Sequence, residues 1–403
     1  MMSVSLASRT GTSAGRLLAA VLLVPLLLAG CLTHRSSMPP CAFGSLRVDA
    51  GFDGGAIAQC TRQGESALLL TIRPEAPPTN NSPWYAFRIS SESPRRITVT
   101  LAVEEGRFRY WPKFSRDGEN WFRMPDAQAE TVADDTRFTF STQVDRHPLW
   151  VSAQELVTTD DYAPWLDAWA AAPGATRQTI GTSRDGQPVE LLTIGSGPET
   201  VVLLGRQHPP EVSGALAMTW FLDEVFGSSE LATTFRERFR ILAVPLINPD
   251  GVDRGHWRFG TGGLDLNRDW GGFTEPEPAA VRDVIDAWVA GGADIRLVLD
   301  FHSTYENKFY TQMPEDNAQP PGFATLWLDR SRERLPDFEF EHDPRPPSGQ
   351  ANTKNYFFER FGIHAITYEL GDETDRRTIR QVTPVFAQEM MRTLLEWDRP
   401  AAP

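Results

Sequence analysis

The chain changes its period once, near Pro173, and no single fold layer accommodates both halves. From Leu46 to Trp150 short β-rich runs follow one another (ALLLTI, WYAFRI, RITVTLAV, FRYWPKF, RFTFST), separated by Pro-Pro, Ser-Pro and Asp-Gly pairs, with no helical period between them. That spacing predicts an antiparallel β-sandwich of roughly 100 residues. A short helix within 163–175 leads into the second half. There, strands expected over 201–204, 241–246, 297–301 and 364–370 alternate with helices over 211–226, 278–290, 351–361 and 383–397. Such alternation requires an α/β layer with a parallel or mixed sheet covered by helices on both faces, and ligands collect at the strand ends of such sheets. The expected domains are therefore a sandwich over 46–172 and an α/β domain over 173–403.

With 403 residues and 41% hydrophobic content the chain can bury a large core, which excludes a disordered protein. Its first 30 residues read as an export signal: Arg9 and Arg16 precede an apolar run from Leu17 to Leu28 that is too short to span a bilayer. The run ends Leu28-Ala29-Gly30-Cys31, similar to a bacterial lipobox, so Cys31 is the expected lipidation site and a plain cleaved signal is the alternative. Residues 31–45 are the expected tether, and Leu32 after the cysteine, by its resemblance to sorted lipoproteins, implies the outer membrane, facing the periplasm. Loss of residues 1–30 removes two arginines and no acids, taking the net charge from −14 to −16, which argues against nucleic acid as a partner. Cys41 and Cys60 either pair in an oxidising compartment or remain buried thiols.

Chemistry enters with GRQHPPEVSG, where His208 and Glu211 straddle two prolines after the apolar run Val201–Leu204. Proline is tolerated in a helix's first turn and fixes φ, so Pro209 and Pro210 would stiffen the exit and aim both side chains at one point. Zinc accepts a rigid nitrogen and oxygen pair of this kind, although HxxE alone is more often a surface pair. In LVLDFHST a strand delivers His302 to its C-terminal end. Two histidines and a glutamate leave a coordination position open, the catalytic arrangement of zinc. Glu369, in AITYELGDE, would then be a general base toward water; standing alone it reads as a strand-end surface acid.

NPDGVDRGHWRFGTGGLDLNRDW, residues 248–270, completes a set that resembles the zinc carboxypeptidases of the M14 family, in the cytosolic-carboxypeptidase-like branch. The elements run in order: His208 and Glu211, Asn248–Gly251, Arg258, Asp265 with Asn267 and Arg268, His302, and Glu369. The resemblance implies a mixed eight-stranded sheet flanked by helices, preceded by an antiparallel β-sandwich, and one Zn2+ per chain held by His208, Glu211 and His302. It implies that Asn267 and Arg268 hold a peptide's C-terminal carboxylate, the planar guanidinium fork suiting such an anion. Arg258 would steady the oxyanion, and Asp265 would accept the spare N–H of His208. The family's substrate-covering tyrosine has no counterpart in HDPRPPSGQANTK, and Tyr356 reads as a packed helix residue. Asn352 and Lys354 fall where the family lines its side-chain pocket; a lysine there would favour an acidic terminal residue, against a solvated helix-face lysine. His34, His147, His256, His342 and His364 match no role.

The expected activity is a zinc metallocarboxypeptidase acting on peptide C-termini, protein fragments or cell-wall peptides, from a lipid anchor in the cell envelope. An N-acyl amino acid deacylase of the aspartoacylase and succinylglutamate desuccinylase type shares HxxE and an NR pair, but NPDG and the leading sandwich tilt against it. A non-catalytic envelope binding lipoprotein is the remaining alternative.

Overall fold

The computed structural model describes residues 41–397, so the expected signal, Cys31, His34 and most of the tether lie outside the described residues. The first half forms eleven strands: β1 Cys41–Phe43, β2 Leu46–Asp49, β3 Gln59–Arg62, β4 Ala67–Ile72, β5 Ala86–Ser91, β6 Arg95–Val103, β7 Lys113–Ser115, β8 Trp121–Arg123, β9 Ala129–Asp134, β10 Arg137–Val144 and β11 Leu149–Ser152. They make two sheets, β1-β2-β5-β11-β7-β8 and β3-β4-β6-β10-β9. Within them the β4–β6 pair is parallel and the other ladders are antiparallel. Period-two burial makes the sandwich: in RRITVTLAV, Ile97, Val99, Leu101 and Val103 point inward while the residues between them are more exposed. Phe114 of one sheet meets Phe140 of the other with ring centroids 5.6 Å apart. A disulfide between Cys41 and Cys60 joins β1 to β3, and so one sheet to the other. Cys41–Phe43 pairs with β2, so the expected tether ends before residue 41 rather than at 45.

The second half runs α1 Thr159–Ala170, β12 Thr176–Thr182, β13 Pro188–Ile194, β14 Glu199–Gly205, α2 Val212–Phe226, α3 Glu230–Arg238, β15 Phe239–Val244, α4 Pro249–Arg254, α5 Pro276–Ala290, β16 Asp294–Thr304, β17 Lys308–Thr311, α6 Phe323–Arg334, β18 Glu341–Pro344, α7 Thr353–Phe361, β19 His364–Gly371 and α8 Arg376–Glu396. The strands form a mixed eight-stranded sheet, β12-β13-β15-β14-β16-β19-β17-β18. Its centre, β15-β14-β16-β19, is parallel. Because β14 is buried on both faces, its Val201-Val202-Leu203-Leu204 run needs no polar alternation. Val201 and Leu203 join a core with Phe221 of α2 and Phe386 of α8. Val202 and Leu204 join another with Ile285 of α5 and Phe357 of α7. The first of these cores continues into the sandwich interior, through residues such as Trp257, Tyr110 and Phe138, so the two halves share one apolar interior.

Helix α8 begins seven residues before the expected 383 and carries Pro384 inside it. Asp375 accepts from the amides of Arg377 and Thr378 and starts the helix ahead of the proline, burying Ile379 and Val382.

Where α5 begins, Glu277 is 1% exposed; one carboxyl oxygen accepts from Arg184 N at 3.1 Å and the other has no partner among the described residues. Burial pushes this carboxyl up to about 7. A raised acid favours the protonated form in the folded state, so stability present at low pH is lost as pH rises from the ordinary glutamate range through about 7. Glu277→Gln should therefore match the parent in thermal unfolding near pH 5 and exceed it at pH 8, by about 1–3 kcal/mol. An equal shift at both pH values would remove the titration as the cause.

Candidate metal centre and active site

The turn after β14 answers what Pro209 and Pro210 are for. Arg206 takes a positive φ of 51°, and its guanidinium folds back to donate to Pro209 O at 2.9 Å and Val157 O at 3.2 Å. The prolines then lead into α2, whose N-cap is Glu211, and the imidazole and carboxylate meet, His208 Nδ1 to Glu211 Oε1 at 2.8 Å. From β16, His302 Nδ1 reaches Glu211 Oε2 at 2.7 Å and His208 Nδ1 at 3.2 Å. Together these three residues offer ligand atoms that all lie within 4.8 Å of one another, all three side chains buried.

The other ring nitrogens are committed. His208 Nε2 lies 3.0 Å from Asp265 Oδ1 and His302 Nε2 lies 2.8 Å from Asp300 Oδ2. Since those carboxylates accept, each Nε2 carries the proton and each Nδ1 turns a lone pair inward, toward the other and toward a carboxylate. In that tautomer three lone-pair donors converge, a set that fits a divalent metal, and a cation among them, metal ion or proton, relieves their repulsion. The charges agree: burial works against ionisation of Glu211, yet His208 and His302 hold it well below the usual carboxylate range. Burial alone would lower His302, but Asp300 and Glu211 outweigh it and raise it.

Parallel pairing of β16 with β19 sets Glu369 directly beside His302. Burial first, then the Glu211 charge, pushes the Glu369 carboxyl up to about 8, and its Oε2 has no hydrogen-bond partner among the described residues. Both residues line a cavity of about 510 Å³ into which Arg258, Asn267, Arg268, Tyr310, Arg345 and Lys354 also project.

The structure thus brings together every site residue expected from the sequence that lies within the described residues, with differences in detail. Asp265 accepts from His208 and also from Arg258 Nε at 2.6 Å; burial opposes its ionisation, but His208, Arg258 and Arg268 hold it far below the carboxylate range. Arg268 donates to Asn267 O at 2.6 Å and forms no ion pair among the described residues, leaving its fork to the cavity. Asn267 is less free than its expected role implies, since its Oδ1 already accepts from Thr353 N at 2.9 Å. Lys354 is not a solvated helix-face lysine: it is 8% exposed and donates to Arg345 O at 3.0 Å and Thr311 O at 3.3 Å, without a carboxylate partner among the described residues. Asn352 lines the same cavity and also caps α7, accepting from Asn355 N at 2.8 Å. Tyr356 packs on Trp270 and Phe273, as its sequence context suggests.

Sequence reasoning missed Asp300, although its place two residues before His302 on one strand face was a usable signal. It also missed Tyr310 of β17, the tyrosine on the cavity wall, and Asn80, Ser82 and Arg109, which the sandwich contributes to the same cavity.

A buried two-histidine, one-carboxylate set with an unpaired glutamate beside it defines a metallohydrolase centre on an α/β scaffold. Residues 162–274 match the family described as zinc carboxypeptidase, peptidase M14, and residues 48–153 match the cytosolic carboxypeptidase N-terminal domain. The chain thus carries an M14 zinc carboxypeptidase domain, a peptidase domain, preceded by the N-terminal domain of the cytosolic carboxypeptidases. His302, Lys354 and Glu369 fall beyond the matched segment.

An uncharacterised protein of Zymomonas mobilis is 25% identical over 81% of this chain and 88% of its own length. Human cytosolic carboxypeptidase 6 is 24% identical over 68% of this chain, which spans 61% of that protein; for cytosolic carboxypeptidase 2 of Xenopus tropicalis the chain spans 28%. Among solved structures, a metallo-carboxypeptidase from Burkholderia cenocepacia superposes with a TM-score of 0.73 at 22% identity, over 87% of this chain and 98% of that one. One from Pseudomonas aeruginosa gives 0.70 at 20% identity, over 87% and 99%. These likenesses carry the fold.

Helix α2 owes its close approach to Gly214: a Cβ there would lie 2.2 Å from His302 O, while Gly214 N donates to Ser303 Oγ at 2.8 Å. Gly214→Ala must part the helix led by Glu211 from the strand bearing His302. Zinc affinity, read by chelator competition, should fall at least about tenfold, together with thermal stability. Unchanged affinity would show that the spacing of α2 and β16 does not set the ligand geometry.

Proposed function

We propose that the chain is a zinc-dependent metallocarboxypeptidase that hydrolyses the C-terminal peptide bond of its substrate. The observation that carries this reading is Glu369, buried beside the ligand trio with an oxygen that has no partner among the described residues, on the cavity that also receives the guanidinium of Arg268, which forms no ion pair among them. His208, Glu211 and His302 would hold a zinc ion, which would supply Lewis acidity toward a carbonyl and toward water. Arg268 receives the substrate's terminal carboxylate in its planar fork, which orients the last peptide bond toward Glu369. Glu369 takes the proton of the attacking water and returns it to the leaving amine, a task suited to a carboxyl whose pKa burial has raised. Arg258, tethered by Asp265, balances charge on the carbonyl oxygen as it becomes an oxyanion.

For the terminal side chain we propose a preference for acidic residues. Arg345 is already neutralised by both oxygens of Asp343, at 2.7 Å each. Lys354 has no such partner among the described residues, and a buried ammonium facing a cavity is best satisfied by an anion. We further propose that the enzyme works in the cell envelope on peptides or cell-wall fragments, lipid-anchored at Cys31; the support is the apolar run 17–28 and its Leu-Ala-Gly-Cys ending.

Two measurements test the reading. Zinc-loaded protein should cleave an N-blocked dipeptide ending in glutamate and leave an N-acyl aspartate nearly untouched; the reverse order would make it a deacylase. Glu369→Gln should retain zinc and lose about 10²–10⁴-fold in kcat, whereas a parent without hydrolysis would leave a binding protein. Separately, Lys354→Met should cut the preference for glutamate over glutamine at the terminal position by about tenfold or more, read as the ratio of kcat/KM values. An unchanged ratio would take Lys354 out of the specificity pocket.

A further inference from the structure

The loop carrying Arg258 belongs to the α/β half of the chain, yet its backbone is held from the sandwich. Glu75 lies on the connection between β4 and β5 and turns its carboxylate onto three consecutive amides. Its Oε2 accepts from Trp257 N at 2.7 Å, while Oε1 accepts from Arg258 N at 2.9 Å and Phe259 N at 2.7 Å. Successive backbone N–H groups converging on one anion form a nest of the kind that binds phosphates, and here the anion is a side chain 182–184 residues away. Among the described residues no backbone carbonyl accepts from these three amides, so Glu75 is their partner.

The rest of the loop docks on the same side. Gly255 has φ +64°, and a Cβ there would lie 2.8 Å from Gly54 O, 2.9 Å from Ala56 Cβ and 3.0 Å from Trp84 Cδ1. Trp257 is 1% exposed, its ring so close to Gly106 that a Cβ there would lie 3.1 Å away. From this anchored backbone Arg258 reaches into the cavity and meets Asp265, which in turn meets His208.

We infer that Glu75 is a positioning residue for Arg258: the sandwich fixes the backbone from which that guanidinium approaches the scissile carbonyl, and so is part of the hydrolytic apparatus. This rests on the reading of Arg258 as the oxyanion-facing group. Hydrogen bonds to a carboxylate are about twice as strong as neutral ones, and an error of about 1 Å in a catalytic group can cost about 10²-fold in rate. Water can replace Glu75 at the amides without unfolding the loop, but it does not fix their direction.

The test uses the full, zinc-loaded chain and an N-blocked dipeptide ending in glutamate, with Glu75→Gln, Glu75→Ala, Arg258→Ala and the double variant Glu75→Ala with Arg258→Ala. Gln keeps the oxygen that serves Arg258 and Phe259 and should cost about tenfold in kcat; Ala should cost about a hundredfold. KM should stay within about twofold and zinc content should not change. Hydrogen exchange at the amides of Trp257, Arg258 and Phe259 should accelerate in the same order. In the Arg258→Ala background the further loss on adding Glu75→Ala should be under about twofold, because the group it positions is gone. If Arg258→Ala lowers kcat strongly while both Glu75 variants match the parent, the inference about Glu75 is overturned and the reading of Arg258 stands. A full additional loss in the double variant would overturn it too, marking Glu75 as a general fold contact. Should Arg258→Ala leave kcat unchanged, the reading of Arg258 fails and the inference with it. Where Glu75→Ala fails to fold, Glu75→Gln decides by the same kcat and exchange readouts.

Discussion

Three lone pairs aimed at one point are the constraint around which the catalytic half is arranged. Two imidazole nitrogens 3.2 Å apart, each also beside a carboxylate oxygen, repel unless a cation lies among them. Nothing in the local chain brings His208 and His302 together, since they are 94 residues apart. Their meeting is a consequence of sheet register: β14 and β16 run parallel and neighbouring, so their C-terminal ends lie side by side, and β19 on the far side of β16 adds Glu369 at the same level. Asp265 and Asp300 then fix which ring nitrogen faces inward, so a shift in either would move the lone pairs and not merely weaken a contact.

The sandwich is bound to that arrangement by charge as well as by shared apolar interior. Arg109 meets Asp372 at 2.7 Å with both side chains nearly buried, Lys113 meets Glu373 at 2.8 Å, and Arg376 at the start of α8 meets Glu155 at 2.8 Å. Removing one member of the first pair would strand a charge in a poorly hydrated seam, which costs far more than a surface pair returns. Asp372 and Glu373 follow Glu369 by only a few residues, so the sandwich also braces the end of the strand carrying the proposed base.

What the sequence disclosed follows from how local each signal is. Central strands were legible because burial on both faces leaves unbroken apolar runs, as in Val201–Leu204, and HxxE was legible because both ligands lie on one turn. Edge strands were not. β17 (KFYT) and β18 (EHDP), the last two strands on one side of the sheet, are four residues long with little apolar pattern, and the pairing of β17 to β19 and of β18 to β17 decides them; Tyr310 was therefore invisible as a cavity residue. Lys354 could not be told from a solvated lysine, because the segment that covers α7's first turn, through Arg345 and Gln350, has no period of its own. Helix α6 escaped although Phe323, Ala324, Trp327, Leu328 and Ser331 form a clear stripe. Glu75 had no local signal, its partners lying in the other half of the chain.

Of the carboxyls around the ligand trio, two, Asp265 and Glu369, are driven apart by their surroundings. Asp265 faces His208, Arg258 and Arg268, and despite burial is held ionised far below the usual range. Glu369 is buried as well, but no arginine hydrogen-bonds or ion-pairs with it among the described residues, and its neighbours include the negative charges of Glu211, Asp372 and Asp300, so its carboxyl rises to about 8. A permanently ionised acid can orient and balance charge but cannot exchange a proton at neutral pH, whereas a raised one can. The proposed division of labour between a fixed partner for His208 and a proton carrier at the cavity therefore follows from the groups beside Asp265, His208 first and then Arg258 and Arg268, and from burial at Glu369. A divalent cation at the trio would draw Glu369 downward, toward the pH at which the protonated and ionised forms coexist near neutrality. Placing Arg258 and Arg268 on the Asp265 side, away from Glu369, is what would leave the proposed base able to exchange a proton.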